Sequence, residues 1–546
     1  MKETLKWWQT RLIYQIYPRS FMDSNNDGIG DIPGIISKLD ILKSLGAGAI
    51  WLSPVYVSPD ADNGYDIADY HQIDKRYGTM ADMEALIQEA AKRDIKIIMD
   101  LVINHTSSEH EWFQKSRKRI EPYTDYYIWK PSDEKGRLPN NWTSAFQGSA
   151  WEFDDERGEY YLHLFDKRQP DLNYHNPLII EEIKNVLRFW LDKGIAGFRC
   201  DVINLIYKTS LEDGKPGFLR GAEWYANQEG CHRILQELRR DVLDSYDAFT
   251  VGETFMANLE DAKAFCNKER AELDMVFNFD HLQVDRLIVK YIATKFRARK
   301  LLAILAKWQN GLDWNAVVLE NHDQPRIVSH YGSMQDWEKS AKLLAILQFT
   351  LRGTPFVYQG QEIGMSNFDF TDMSNINDVE SLNMESLLKK YHIPARLRWK
   401  IITDASRDNA RTPLQWNDGR NAGWTKGSPW LKINSNYTQI NYKNEIDDAD
   451  SVFHFYQKMI RLREDDEDLL LGDFNSVYSD KSLMVYKRGK SITVLLNFSG
   501  KPAKLKLLEP LLNFENTQII VSNTGRLSMA TEIEAWEAIV LKENPV

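Results

Sequence analysis

Eight short apolar runs recur between residues 13 and 361, separated for the most part by stretches with the three-to-four-residue period of helices. They lie at 13–17, 49–52, 96–105, 197–204, 248–253, 274–279, 316–323 and 354–361. Most are β-branched or apolar throughout, so both faces of each strand must be covered, which is the signature of a parallel sheet flanked by helices. The intervening patterns fit this. A helix over 35–45 ends at Gly46, a second covers 80–93, and one over 177–193 puts Ile180, Ile183, Leu187, Trp190 and Leu191 on one face before Gly194. A fourth covers 234–243. Eight strands alternating with helices predict an α/β chain built as a (β/α)8 TIM barrel rather than a sandwich.

The polar residues of these runs gather at one end. Asp100, Asn104, His105, Arg199, Asp201, Glu253, His322 and Asp323 all fall at or near C-terminal strand ends, the catalytic face of such barrels, whereas stabilising ion pairs would be spread over both rims. Arg199 and Asp201 are two residues apart and so project from the same face. Asp201 on the fourth strand and Glu253 on the fifth supply the two carboxyl groups that glycosidic hydrolysis with retention requires, ~5–5.5 Å apart. Arg199 is expected to keep Asp201 ionised as a nucleophile. Glu253 has no basic neighbour in sequence and follows apolar Phe249 and Val251, a setting that raises a carboxyl's pKa and suits it to acid catalysis. Each motif alone has a plainer reading: an Arg–Asp pair closing a strand, a core histidine at His105, a helix-capping acid at Glu253. Their recurrence at successive strand ends favours the chemistry.

Two interruptions break the alternation. Residues 106–176, rich in Trp and Tyr, form an inserted subdomain after the third strand, and a second insertion covers about 366–425 with a helix at 382–391. The barrel therefore comprises 1–105 and 177–465. Past the acidic run 464–468 the period switches to two, with strands at 483–486, 492–497, 503–507 and 538–541, so 466–546 reads as a C-terminal antiparallel β domain, a β-sandwich. Near the N-terminus, Asp23, Asn25, Asp27 and Asp31 alternate around Gly28, with the Ile29 carbonyl available. That spacing suits a structural Ca²⁺, although the bidentate Glu of an EF-hand is missing and an Asx-rich turn without metal is the alternative.

Composition narrows the partners. A net charge of −11 without any Lys/Arg run argues against nucleic acid and other polyanions, and 17 Trp with 24 Tyr offer faces on which sugar rings stack. Three widely spaced cysteines form neither a disulfide framework nor a zinc motif. Without an h-region or an apolar run near ~18 residues, the expectation is a cytoplasmic protein with no membrane partner; no organic cofactor and a monomeric state are expected besides.

Four ordered segments, 100–105 (DLVINH), 197–201 (GFRCD), 251–253 (VGE) and 320–323 (ENHD), resemble the conserved regions of the α-amylase family of glycoside hydrolases. The resemblance covers nearly the whole chain. It implies a retaining mechanism with Asp201 as nucleophile, Glu253 as general acid/base and Asp323 as the third carboxylate, with His105, Arg199 and His322 contacting the glucose whose bond is cut. Within the family, 169–173 (QPDLN) is similar to the extra region of the oligo-1,6-glucosidase subgroup, and Val202 matches members that cleave α-1,6 bonds. Tyr65, Asp66 and Arg411, with Arg407 as the alternative arginine, match positions that clasp the non-reducing-end glucose. The implied activity is exo-hydrolysis of short α-1,6-linked gluco-oligosaccharides such as isomaltose and panose. Trehalose-6-phosphate hydrolases and sucrose isomerases share the scaffold, as do membrane-anchored transporter heavy chains that have lost site carboxylates. The 254–257 segment (TFMA) departs from the subgroup and leaves the leaving-group side open.

Overall fold

The computed structural model describes residues 5–217, 219–287, 289–509, 511–512, 514 and 516–543. Its principal sheet has eight strands: β1 Leu12–Ile16, β2 Ala47–Leu52, β3 Lys96–Val102, β4 Gly197–Asp201, β5 Phe249–Glu253, β6 Met275–Phe277, β7 Ala316–Val318 and β8 Thr354–Tyr358. The order across the sheet is β6-β5-β4-β3-β2-β1-β8-β7, the circular sequence of a (β/α)8 barrel. These strands are buried almost throughout, which is why they read as unbroken apolar runs.

Glycine permits one close approach in this sheet. Gly197 has φ 155°, and a Cβ there would stand 2.0 Å from the Phe249 carbonyl oxygen, so no larger residue lets β4 lie against β5 in this register. That register places Arg199 opposite Asp100 on β3 and opposite Val251 on β5, which leaves Glu253 two residues further along. Strand pairing thus aligns the polar ends before any side chain is considered.

Helix ends follow local chemistry. Met80–Lys92 starts at a Thr79–Asp82 capping box, and Pro177–Asp192 starts at Asn176 with proline in its first turn. The helix expected over 35–45 is two pieces, Ile32–Ile36 and Leu39–Leu45, with non-helical Lys38 capping the second, which does stop at Gly46, φ 107°. The seventh strand is shorter than expected. It ends at Val318, so His322 and Asp323 sit on the loop that follows rather than on the strand.

The chain divides into two compact units: Met1–Gly30 with Ser37–Ile50 and Phe279–Val546, and Asp31–Ile36 with Trp51–Asn278. The second contains a three-stranded antiparallel sheet, Trp129–Pro131, Glu159–Leu162 and Trp151–Asp154, within the segment expected to be inserted. The first contains a five-stranded antiparallel sheet of β9 Phe474–Ser479, β10 Leu483–Arg488, β11 Ile492–Asn497, β12 Thr517–Ser522 and β13 Ala538–Glu543, ordered β9-β10-β11-β13-β12. Leu483, Val485, Leu495, Ile539 and Leu541 pack its inner face against Leu508 and Ile533. The run at 503–507 yields only a two-residue strand, because its chain turns into a 3-10 helix at Leu505–Leu507. The segment around 366–425 holds two helices of three turns, Val379–Lys390 and Ala395–Ala405, one more than its sequence suggested.

Candidate active site

One guanidinium organises the carboxylates of the second unit. Arg199, 1% exposed, donates from Nη1 to Asp100 Oδ1 at 2.7 Å and to Asp201 Oδ1 at 2.5 Å, and from Nη2 to Glu253 Oε2. Asp100 in turn accepts on Oδ2 from Trp51 Nε1 at 3.0 Å and from the Tyr65 hydroxyl at 3.2 Å. Three acids around one cation are held in place by the parallel register of β3, β4 and β5.

This overturns the contrast drawn between the two carboxyl groups. Glu253 is not isolated in apolar surroundings; it shares its cation with Asp201, because strand pairing brings Arg199 across to β5 although the two are 54 residues apart. Nor does Arg199 dominate the titration of Asp201. Burial pushes that carboxyl up to about 6, Asp100 adds to the rise, and Arg199 and a hydrogen bond with Glu253 only partly oppose it. At neutral pH a group titrating near 6 remains about nine-tenths ionised, the state a nucleophilic carboxylate requires.

His105 lies behind Tyr65 as part of a fixed polar chain. Lys208 Nζ donates to Asn104 Oδ1 at 2.9 Å, which orients the Asn104 amide so that its Nδ2 faces His105 Nδ1 at 3.2 Å and Asp171 Oδ2 at 3.1 Å. The histidine therefore accepts at Nδ1 and carries its proton on Nε2, directed at the Tyr65 carbonyl 3.1 Å away. Burial drives its pKa down to about 4, so it is neutral. A buried Lys208–Asp171 ion pair at 2.6 Å closes the chain.

Asp66 does something other than expected. Its oxygens accept from Ser58 Oγ at 2.9 Å, Ala61 N at 2.8 Å and Asp62 N at 3.0 Å, and the residue is fully buried. It shapes the 58–66 loop, leaving no exposed carboxylate for a sugar. Asp62, four residues earlier, is the acid of this loop that faces the histidine cluster: Gln169 Nε2 donates to Asp62 Oδ2 at 3.3 Å and to the Tyr65 carbonyl at 3.4 Å, the same carbonyl that His105 Nε2 meets. Sequence reasoning passed over Asp62 and treated Asp100 only as a strand-end acid. The signal for Asp100 was an acid inside an unbroken apolar strand; for Asp62 nothing beyond an Asp-rich loop was visible.

Val202 follows Asp201 directly and has φ 35° and ψ 39°, the left-handed region that a β-branched residue rarely enters. It belongs to a buried cluster that includes Trp142, Trp151, Leu205 and Tyr225. Strain of order 1–3 kcal/mol is held by that packing.

The first unit carries the remaining candidates. Asp323 Oδ1 accepts from Arg411 Nη2 at 2.7 Å, while Arg407 Nη1 approaches the same oxygen only to 3.4 Å, its Nε being directed to Asp378 at 2.8 Å. Between the two arginines, Arg411 is thus the direct partner, and its buried Nη1 has no hydrogen-bond acceptor among the described residues. Gln15 Nε2 meets His322 Nδ1 at 2.9 Å; an amide nitrogen only donates, so the His322 proton sits on Nε2, 3.1 Å from Asp323 Oδ2.

The loop read as a calcium site is internally bonded. Asp23 accepts from the backbone N–H groups of Asn25, Asn26 and Gly28 and from the Thr425 hydroxyl; Asn25 and Asp27 form successive Asx turns, and the Ile29 N–H donates to Asp27. Asp31 caps the helix Ile32–Ile36 through the Gly34 N–H. The donors are all oxygen, the chemistry of a hard cation. Among the described residues no group of three or more His, Cys, Asp and Glu side chains gathers as for a metal.

A parallel eight-stranded sheet with paired carboxylates at the ends of its fourth and fifth strands defines a barrel glycoside hydrolase. The chain belongs to the α-amylase family: the family description "Alpha amylase, catalytic domain" matches residues 15–472. Among curated proteins it is similar to an oligo-1,6-glucosidase of Halalkalibacterium halodurans, 47% identical over 532 residues, 94% of this chain and 95% of that one. It is also similar to a trehalose-6-phosphate hydrolase of Bacillus subtilis, 43% identical over 537 residues and 95% of each chain. Among solved structures, a Bacillus licheniformis trehalose-6-phosphate hydrolase superposes with TM-score 0.93 at 43% identity, covering 99% of this chain and 100% of that one.

Proposed function

We propose that the protein is a retaining, exo-acting α-glucosidase that releases glucose from the non-reducing end of short α-1,6-linked gluco-oligosaccharides. The observation that supports the mechanism best is the shared guanidinium: Asp201 and Glu253 are bonded to the two terminal nitrogens of one Arg199 side chain, which keeps the two carboxyl groups side by side as a retaining mechanism needs. Asp201 attacks the anomeric carbon while Glu253 protonates the departing oxygen; the glycosyl-enzyme ester then yields to water that Glu253 deprotonates. The family resemblance gives Asp323, His105 and His322 the task of holding sugar hydroxyls, and Arg411 Nη1 is a donor without an acceptor among the described residues. Asp62 replaces Asp66 as the acid of the 58–66 loop that grips the terminal glucose, beside Tyr65.

The α-1,6 preference draws on the relative named oligo-1,6-glucosidase and on Val202 beside the nucleophile. Hydrolysis of trehalose-6-phosphate is the second reading, favoured by the relatives that carry that name. The segment 254–257 after the acid/base contains no basic residue to meet a phosphate. The reading includes calcium in the 23–31 loop, on donor type alone, and a monomer working in the cytoplasm; among the described residues no helix is long and apolar enough to cross a membrane.

The test is a side-by-side assay on isomaltose, panose, maltose, sucrose and trehalose-6-phosphate with products identified by anomer-resolved NMR. Glucose of α configuration released from isomaltose and panose is expected. Glucose-6-phosphate as the dominant product would install the second reading instead.

A further inference from the structure

The loop that follows Glu253 is tethered by a residue to which no role has been given. Asn204 lies three residues after Asp201, in the 3-10 turn Ile203–Leu205, and is fully buried. Its Oδ1 accepts from the Phe255 N–H at 3.0 Å, and its Nδ2 donates to the Phe255 carbonyl at 2.7 Å. Phe255 is two residues after Glu253, and its side chain is 39% exposed; Met256 beside it is 58% exposed and has φ 60°. Such a segment has little packing of its own to hold it. Its other described tethers are a 3.4 Å contact from Thr254 Oγ1 to the Phe277 carbonyl and a 3.3 Å turn bond from Ala257 N to Thr254 O.

We propose that Asn204 is a positioning residue, a brace between the exits of the two catalytic strands that sets where Glu253 stands relative to Asp201. The inference rests on the assignment of those two carboxylates as acid/base and nucleophile. Only a primary amide can do this in place, because the Phe255 backbone presents a donor and an acceptor and an amide offers the matching pair. The orientation of the amide is settled by the same match. The brace is itself anchored: Asn204 Nδ2 also donates to Asn227 Oδ1 at 2.8 Å, the Asn227 N–H returns to the Asn204 carbonyl at 3.0 Å, and Asn227 Nδ2 reaches Asp261 Oδ2 at 3.0 Å. Asp261 and Asn258 form the capping box that opens the helix Leu259–Cys266, so the chain on both sides of the exposed segment is pinned.

A misplaced acid has a distinctive kinetic signature. Departure of a sugar alkoxide needs a proton, whereas a nitrophenolate leaves without one, so loss of acid positioning penalises the first far more than the second. Because kcat/KM reports only the step that expels the leaving group, Asn204→Ala is expected to lower kcat/KM on isomaltose about 100-fold while kcat/KM on p-nitrophenyl α-glucoside falls less than about 5-fold. Asn204→Asp keeps the size and the acceptor but cannot donate to Phe255, and is expected to show the same selective loss should the alanine variant not fold. Equal losses on both substrates, or none, would overturn the brace. A wild-type enzyme that hydrolyses neither substrate would instead remove the assignment on which the brace rests.

Discussion

Glu253 and Asp201 are bonded to the two terminal nitrogens of the same guanidinium, that of Arg199. The planar fork of arginine suits this bridging, and a lysine ammonium could not span the acids in the same geometry. Arg199→Lys is expected to lower kcat/KM about 100-fold, the scale of losing one preorganised electrostatic contact. Because the guanidinium pulls the Asp201 pKa down against burial, weakening that contact should also move the acid limb of the pH–rate profile upward. A variant with unchanged activity and limb would show that the shared cation is incidental.

For the wild type, that acid limb should lie near pH 6, where Asp201 titrates. Activity is lost as pH falls through this value, since the protonated carboxyl is no nucleophile. A kcat/KM profile measured from pH 4 to 8 checks it.

The same raised pKa has a stability consequence of opposite sense to a salt bridge. The folded pKa of about 6 exceeds the unfolded value of ~3.9, so the folded state binds the Asp201 proton more readily. Below about pH 4 both states are protonated and the group has no effect. As pH rises through 6 the ionised form destabilises the fold, by up to about 3 kcal/mol at ~1.4 kcal/mol per pH unit. Asp201→Asn should therefore be inactive yet melt above the wild type at pH 7, with the gap closing toward pH 4. Scanning calorimetry at both pH values measures this; a lower melting temperature at pH 7 would contradict it.

Asp62 and Asp66 should separate function from architecture within one loop. Asp62→Ala is expected to raise KM for isomaltose about tenfold with melting unchanged. Asp66→Asn puts a donor where two backbone N–H groups and a hydroxyl donate, and should cost about 1–3 kcal/mol of stability. Reversed behaviour of the two variants would restore Asp66 to the sugar.

Calcium should raise the melting temperature and EDTA lower it, with Asp23→Ala abolishing the difference. Identical melting curves in calcium and in EDTA would leave the 23–31 loop as Asx turns that need no metal.

The barrel was legible because its strands are buried on both faces almost throughout and so read as mainly apolar runs, and because Gly46 and Gly194 follow two of the helices. Asp201 and Glu253 stood out as candidates because they end their strands, and Asp323 because it follows one by a few residues. Partnerships were not legible. Glu253 looked unaccompanied because its cation lies 54 residues away and is delivered by register. Asp62 and Asp66 are alike on paper; which one turns inward depends on the three donors around Asp66. Helix 35–45 shows the same limit, since a periodic pattern does not reveal that Lys38 leaves the helical region between two short pieces.

Val202 reaches its left-handed conformation only within the cluster of Trp142, Trp151, Leu205 and Tyr225. Valine rarely enters that region, so the turn after Asp201 depends on a cluster whose other members come from residues 128–226. A substitution at Val202 therefore disturbs two things together, the turn and the packing of that segment. A more permissive residue would relax the turn, and a bulkier one would displace the aromatic side chains. The backbone that follows Asp201 is in this sense held from the neighbouring aromatic segment rather than by its own strand.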